Sequence, residues 1–143
     1  MYYVVVFYFF ISWKMMTTLE DNVKNMDMIR QRFNSTAYDL LEQIGSGGFG
    51  RVYKAQHINT GQVVAIKFLS IGDDFDEIKK QRYIERFERE TLLGSKLQHP
   101  NIVRLLDKGH SDDLFYAVFE YVEGTTLKER LTEVGPLTPN ETY

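Results

Sequence analysis

From Tyr38 onward, apolar residues come in short alternating or continuous runs, except between Asp76 and Leu97, where they fall at roughly helical spacing. Tyr38-Asp39-Leu40-Leu41-Glu42-Gln43-Ile44 is a strand-like run that ends in a glycine cluster, Gly45 to Gly50. Arg51 to His57 alternates as a strand does, Asn59-Thr60-Gly61 supplies a turn, and Val63 to Leu69 is a third strand. The charged stretch from Asp76 to Leu97, with Ile84, Phe87 and Leu97 among its apolar positions, predicts one long helix that Pro100 closes off. Ile102 to Leu106 and Leu114 to Val122 then predict two more strands around a polar turn at Gly109 to Asp113. The predicted order is β-β-β-α-β-β, an α+β domain.

The flanks read differently. Met1 to Trp13 is a nearly unbroken apolar and aromatic run, shorter than the about 20 residues a membrane helix needs and without the positive start of a signal peptide. The expectation is an incidental extension ahead of a later start such as Met15 or Met26, favoured over membrane contact through residues 1–13. Glu20 to Ser35 is polar with scattered Met and Ile and reads as a loosely helical or disordered approach. The domain is therefore expected at 38–143, behind a poorly ordered extension at 1–37. Beyond Gly124, Leu127 to Leu131 looks like a helix start, broken by Gly135, Pro136 and Pro139.

Composition narrows the chemistry. The 143 residues are 43% hydrophobic, 26% charged and 14% aromatic, a globular mixture with room for one modest domain. Seventeen basic and twenty acidic residues leave a net charge of −3, so nothing global draws the chain to nucleic acid, and any phosphate binding has to be local. The absence of cysteine excludes disulfides and thiolate sites and fits a reducing, cytoplasmic location.

The local candidate is Gly45-Ser46-Gly47-Gly48-Phe49-Gly50-Arg51-Val52, a G-x-G-x-x-G-x-V pattern whose glycines let backbone amides approach phosphate oxygens. A P-loop would need Lys and then Ser or Thr where Arg51-Val52 stands, and a dinucleotide-binding turn would lead into a helix, whereas Val52 to His57 reads as a strand. A glycine-rich hairpin that merely turns remains an alternative for the glycines taken alone. Val64-Ala65-Ile66-Lys67 on the next strand changes the balance, because it sets a cation beneath the loop within reach of α and β phosphates.

Taken together, these residues resemble a protein kinase, and the resemblance runs from about Tyr38 to the end of the chain. It implies the five-stranded antiparallel sheet and single long helix of a kinase small lobe, with ATP as cofactor. It also implies that Glu90, chosen over Glu85 and Glu88 by its spacing to His99-Pro100-Asn101-Ile102-Val103, pairs with Lys67. Phe119-Glu120-Tyr121-Val122-Glu123-Gly124 resembles the kinase hinge. On that resemblance Phe119 is the gatekeeper, the backbones of Glu120 and Val122 meet the adenine edge, Val52 and Ala65 enclose its faces, and Ile44 joins the glycine loop in lining the site. The hinge run looks most like those of bacterial serine/threonine kinases of the eukaryotic-like type, which implies protein hydroxyls as substrate.

Two family motifs do not occur in the sequence. No H-R-D-x-x-x-x-N supplies a catalytic aspartate, and no D-F-G supplies a magnesium ligand; Asp74-Phe75-Asp76 lacks the glycine and precedes the helix. None of His57, His99 and His110 precedes Arg-Asp. The chain is thus expected to end at the hinge and the start of the large lobe, to lack the family's Mg ligands, and to be inactive by itself. The alternatives are a noncatalytic lobe that binds nucleotide or a partner and, more remotely, a β-rich interaction module. Gly94 is a further departure, costing the helix about 1 kcal/mol relative to Ala at a position where larger kinases often place a packing residue.

Overall fold

The computed structural model describes residues 19–33, 37–47, 50–69, 71, 75–111 and 113–124. The apolar run at 1–13, Gly48, Phe49, Asp74 and the helix start at 127–131 lie outside the described residues. Helix α1 (Leu19–Arg32) precedes three strands, β1 (Tyr38–Gly47), β2 (Gly50–His57) and β3 (Val63–Leu69), and helix α2 (Glu77–Lys96) precedes β4 (Leu105–Ser111) and β5 (Leu114–Glu120). The strands form one antiparallel sheet in the order β1-β2-β3-β5-β4, so β5 lies beside β3 and β4 takes the edge. Five strands and one long helix in the order β-β-β-α-β-β match the pattern, with β4 displaced from its expected bounds.

The sheet separates two apolar layers. Val64, Ile66 and Phe68 of β3 project to one face with Tyr53 and Ala55 of β2 and Val118 of β5, all of them nearly inaccessible to solvent. Ala65, Lys67 and Leu69 alternate to the other face, where Ala117 and Phe119 of β5 meet Phe87 of α2 and Val103. A strand buried on both faces reads as a continuous apolar run, which is the character of Val63 to Leu69.

The stretch read as a loosely helical or disordered approach is helical from Leu19 to Arg32 and packs on the sheet. Ile29 and Phe33 lie four residues apart on one helical face and join the first layer at 5% and 6% exposure, with Met26 packed beside them. The Phe33 ring meets Phe68 and Tyr116 edge to face, at centroid distances of 4.9 and 5.0 Å. Polar ties fix the end of the helix: Arg30 Nη2 donates to the Leu40 carbonyl at 2.6 Å, Ser111 Oγ to the Arg32 carbonyl at 3.1 Å, and Arg32 pairs with Asp113. That guanidinium holds the Asp113 carboxyl below its usual range, chiefly through its hydrogen bond. With so few apolar residues, the segment reads as an approach until Phe33 has a sheet to pack on.

Helix α2 starts where Asp76 caps it, its carboxylate accepting from the Lys79 amide at 2.7 Å, and its last turn closes through the Leu97 amide to the Gly94 carbonyl. The stretch after it departs from expectation. Ile102 to Arg104 is not strand; Val103 plugs the second layer from a loop, and β4 begins at Leu105 and continues through Gly109 to Ser111. Gly109 allows this, because it pairs with Tyr116 so closely that a Cβ there would lie 2.6 Å from the phenol oxygen. The turn expected at Gly109 to Asp113 shrinks accordingly.

Candidate functional site

The register of the sheet gathers the sequence-predicted residues into rows. Gly45 pairs with Val52, Val52 with Lys67, and Lys67 with Ala117, a line that crosses β1, β2, β3 and β5. Two residues along, Glu42 pairs with Lys54, Lys54 with Ala65, and Ala65 with Phe119. Strand alternation then places Val52, Ala65, Lys67 and Phe119 on the same face as α2. Val52, Ala65 and Phe119 are buried, Ile44 is half exposed at a bulge of β1, and Ser46 and Gly47 carry β1 into the hairpin turn opposite Arg51 and Gly50.

Gly50 is required by its neighbours. Its φ of 156° lies in the region that side chains avoid, and a Cβ on it would stand 2.0 Å from the Phe68 carbonyl oxygen. The last glycine of the cluster is therefore set by contact with β3. Gly45 differs, since a Cβ there would meet Val52 at an ordinary 3.7 Å.

Lys67 is only 9% exposed, and desolvation pushes its pKa below the ordinary value, while the charge of Glu90 acts in the opposite direction. The Arg86 charge adds to the depression. Glu90 itself accepts from Arg86 Nε at 2.9 Å, one helical turn earlier. The structure thus sets Glu90 close enough to act on the ammonium and gives it a second cationic neighbour. Sequence reasoning passed over Arg86, although the four-residue spacing to Glu90 is visible in the sequence.

At the end of β5, Glu120 pairs with Val64 in register, its amide donates to the Arg104 carbonyl at 3.0 Å, and its carboxylate accepts from the Arg104 amide at 3.0 Å. The carboxylate closes the loop before β4 onto β5, a structural duty that the sequence did not reveal. Val122 follows beyond the end of β5, 44% exposed. Among the described residues no group of three His, Asp or Glu side chains could hold a metal ion, and no helix is long and apolar enough to cross a membrane.

The geometry can be set beside known proteins. Residues 38–143 match the protein kinase domain family, starting at the first residue of β1. The chain is 48% identical over 107 residues to the serine/threonine-protein kinase PrkC of Bacillus subtilis, covering 75% of this chain and 16% of that protein. It is 42% identical over 101 residues to a probable serine/threonine-protein kinase of Clostridium perfringens, covering 70% and 14%. With the probable serine/threonine-protein kinase PknB of Lactococcus lactis it shares 37% identity over 105 residues, covering 73% and 16%. The match spans about one sixth of the length of these relatives.

Proposed function

The chain belongs to the protein kinase domain family, and from that membership we propose that it forms the ATP-binding part of a serine/threonine kinase that transfers the γ-phosphate of ATP to protein hydroxyls. The single observation that carries this reading is Lys67, a cation kept nearly dry on the α2 side of the sheet, one register step from Val52 and under the influence of Glu90. Burying a charge is costly, so a lysine held there without a polar task would be replaced by an apolar residue at no loss to the fold.

In this reading the ammonium meets the α and β phosphates, backbone amides of Gly45 to Gly50 approach the phosphate oxygens, and Val52 and Ala65 cover the base with Phe119 behind it. With the Glu120 amide bonded to Arg104, a base contact at Glu120 falls to its carbonyl, and the next falls to Val122. When bound, ATP supplies the phosphoryl group; the residues of this chain bind and orient it. Calorimetric titration with ATP tests the assignment: the unaltered chain should bind, and Lys67→Met should lose about ten- to a hundredfold in affinity, the scale of a charge-assisted hydrogen bond. Equal affinities would overturn it.

A further inference from the structure

Lys54 lies outside the constellation assigned above, yet it joins three elements that the nucleotide reading needs. It sits on β2, four residues after Gly50, and shares its face of the sheet with Val52 and Ala65. Its ammonium lies 4.8 Å from the centroid of the Tyr121 ring and 3.8 Å from Glu42 Oε1. Glu42 stands on β1, three residues before Gly45, and Tyr121 is the first residue beyond β5. The lysine is about a quarter exposed, so its contacts are partly shielded from water.

The topology gives the contact its meaning. Between β2 and β5 lies β3, so the backbone ladder connects the glycine hairpin to the segment after β5 only through an intervening strand, across about 10 Å. The Lys54 side chain bypasses β3 and bridges the two directly. We infer that Glu42, Lys54 and Tyr121 form a tie that fixes the glycine hairpin against the segment 120–122, with Lys54 as a positioning residue for the base of the bound nucleotide. A lysine stem spans the gap, its cation rests on the ring face, and Glu42 limits how far the ammonium can swing. Tyr121 carries the peptide that leads from Glu120 to Val122, so restraining its ring restrains the backbone that faces the base. The phosphates lie toward Lys67, at the other row of the sheet, so the tie acts on the base and leaves the phosphates alone.

The inference rests on the nucleotide-binding reading, and the test separates the two. Adenosine and ATP affinities are measured by calorimetry on the full chain and on Lys54→Met, Lys54→Arg, Tyr121→Leu, the Lys54→Met/Tyr121→Leu pair and Lys67→Met. The expected result is that Lys54→Met and Tyr121→Leu each weaken adenosine and ATP alike by about threefold, the scale of a partly exposed cation over a ring. The double variant should lose no more than either single one, and Lys54→Arg should restore binding because a guanidinium also rests on a ring face. Lys67→Met should instead lower ATP affinity and spare adenosine. If Lys67→Met behaves this way while Lys54→Met binds adenosine as the unaltered chain does, the tie is refuted and the nucleotide reading stands. Additive losses in the double variant refute it equally, by making the two side chains independent. If the unaltered chain binds neither ligand, both ideas fall together.

Discussion

Glu90 accepts a hydrogen bond from Arg86 Nε at 2.9 Å, on the same helix and one turn away. The carboxylate that acts on Lys67 is therefore shared with a second cation, whose own charge lowers the Lys67 pKa. Arg86→Met removes that competitor, both its charge and its hydrogen bond, whereas a glutamine would keep a bond of the kind Gln81 makes to Glu85 four residues on. ATP affinity should rise about two- to threefold, the scale of one exposed helical ion pair. Calorimetry on the single variant decides it, and a weaker or unchanged affinity would show that Arg86 does not draw Glu90 away.

Lys67→Met should separate stability from binding. Burial keeps the folded lysine's pKa below 10.5, so in the folded chain it releases its proton at a lower pH than in the unfolded chain. Below the folded pKa, the protein carries the full cost of a buried charge; as pH rises from the folded value toward 10.5 that cost disappears. The variant should thus melt higher than the unaltered chain at pH 7, with the difference narrowing as the buffer approaches pH 10, while ATP affinity is lost. A lower melting point at neutral pH would mean that the ammonium's partners outweigh its desolvation.

The glycine cluster should divide by position. Gly50→Ala places a methyl group against the Phe68 carbonyl in a backbone region hostile to side chains, at a cost of about 3–5 kcal/mol. Gly45→Ala meets only Val52 at a normal distance and should change stability by no more than about 1 kcal/mol, so any loss of ATP affinity there reports on the nucleotide. Chemical denaturation of both variants, followed by titration of the folded one, makes the comparison. Equal destabilisation would contradict the close approach seen at Gly50.

How far the sequence could be read follows the range of the interactions involved. Periodicity and turn chemistry act over a few residues, so β1, β2, β3 and α2 could be placed from the chain, whereas the row of Gly45, Val52 and Lys67 emerges only from the strand register. The position of β4 could not, because Gly109 serves to admit the Tyr116 ring of another strand rather than to turn the chain. The packing of helix α1 was not legible for a similar reason, since the value of Ile29 and Phe33 depends on aromatic partners brought together by β3 and β5. The Lys54–Tyr121 contact was not legible either, because it joins residues 67 positions apart that only the folding of β3 and β5 brings together.

Phe33→Ala should cost about 3–5 kcal/mol, the usual range for emptying a buried phenylalanine site. Such a loss is a large part of the stability of a small domain, and thermal melting should show it directly. A change under about 1 kcal/mol would mean that α1 rests on the sheet without contributing to it.

Gly94→Ala should act in the other direction. Gly94 is buried in α2, yet a Cβ there would have nothing within 4 Å, so the methyl group adds helix preference without a clash. The gain should be about 1 kcal/mol, a rise in melting temperature of about 4 °C. A fall would reveal a neighbour that needs the space.

The two rings that grip Phe33 belong to strands far apart in the chain, Phe68 on β3 and Tyr116 on β5. During synthesis α1 can meet β1, β2 and β3 as soon as they emerge, but its socket has only one wall until β5 has slid in beside β3. The seat of Phe33 is thus complete only where β3 and β5 lie side by side, so the docking of α1 depends on a pairing between strands that α2 separates in the chain.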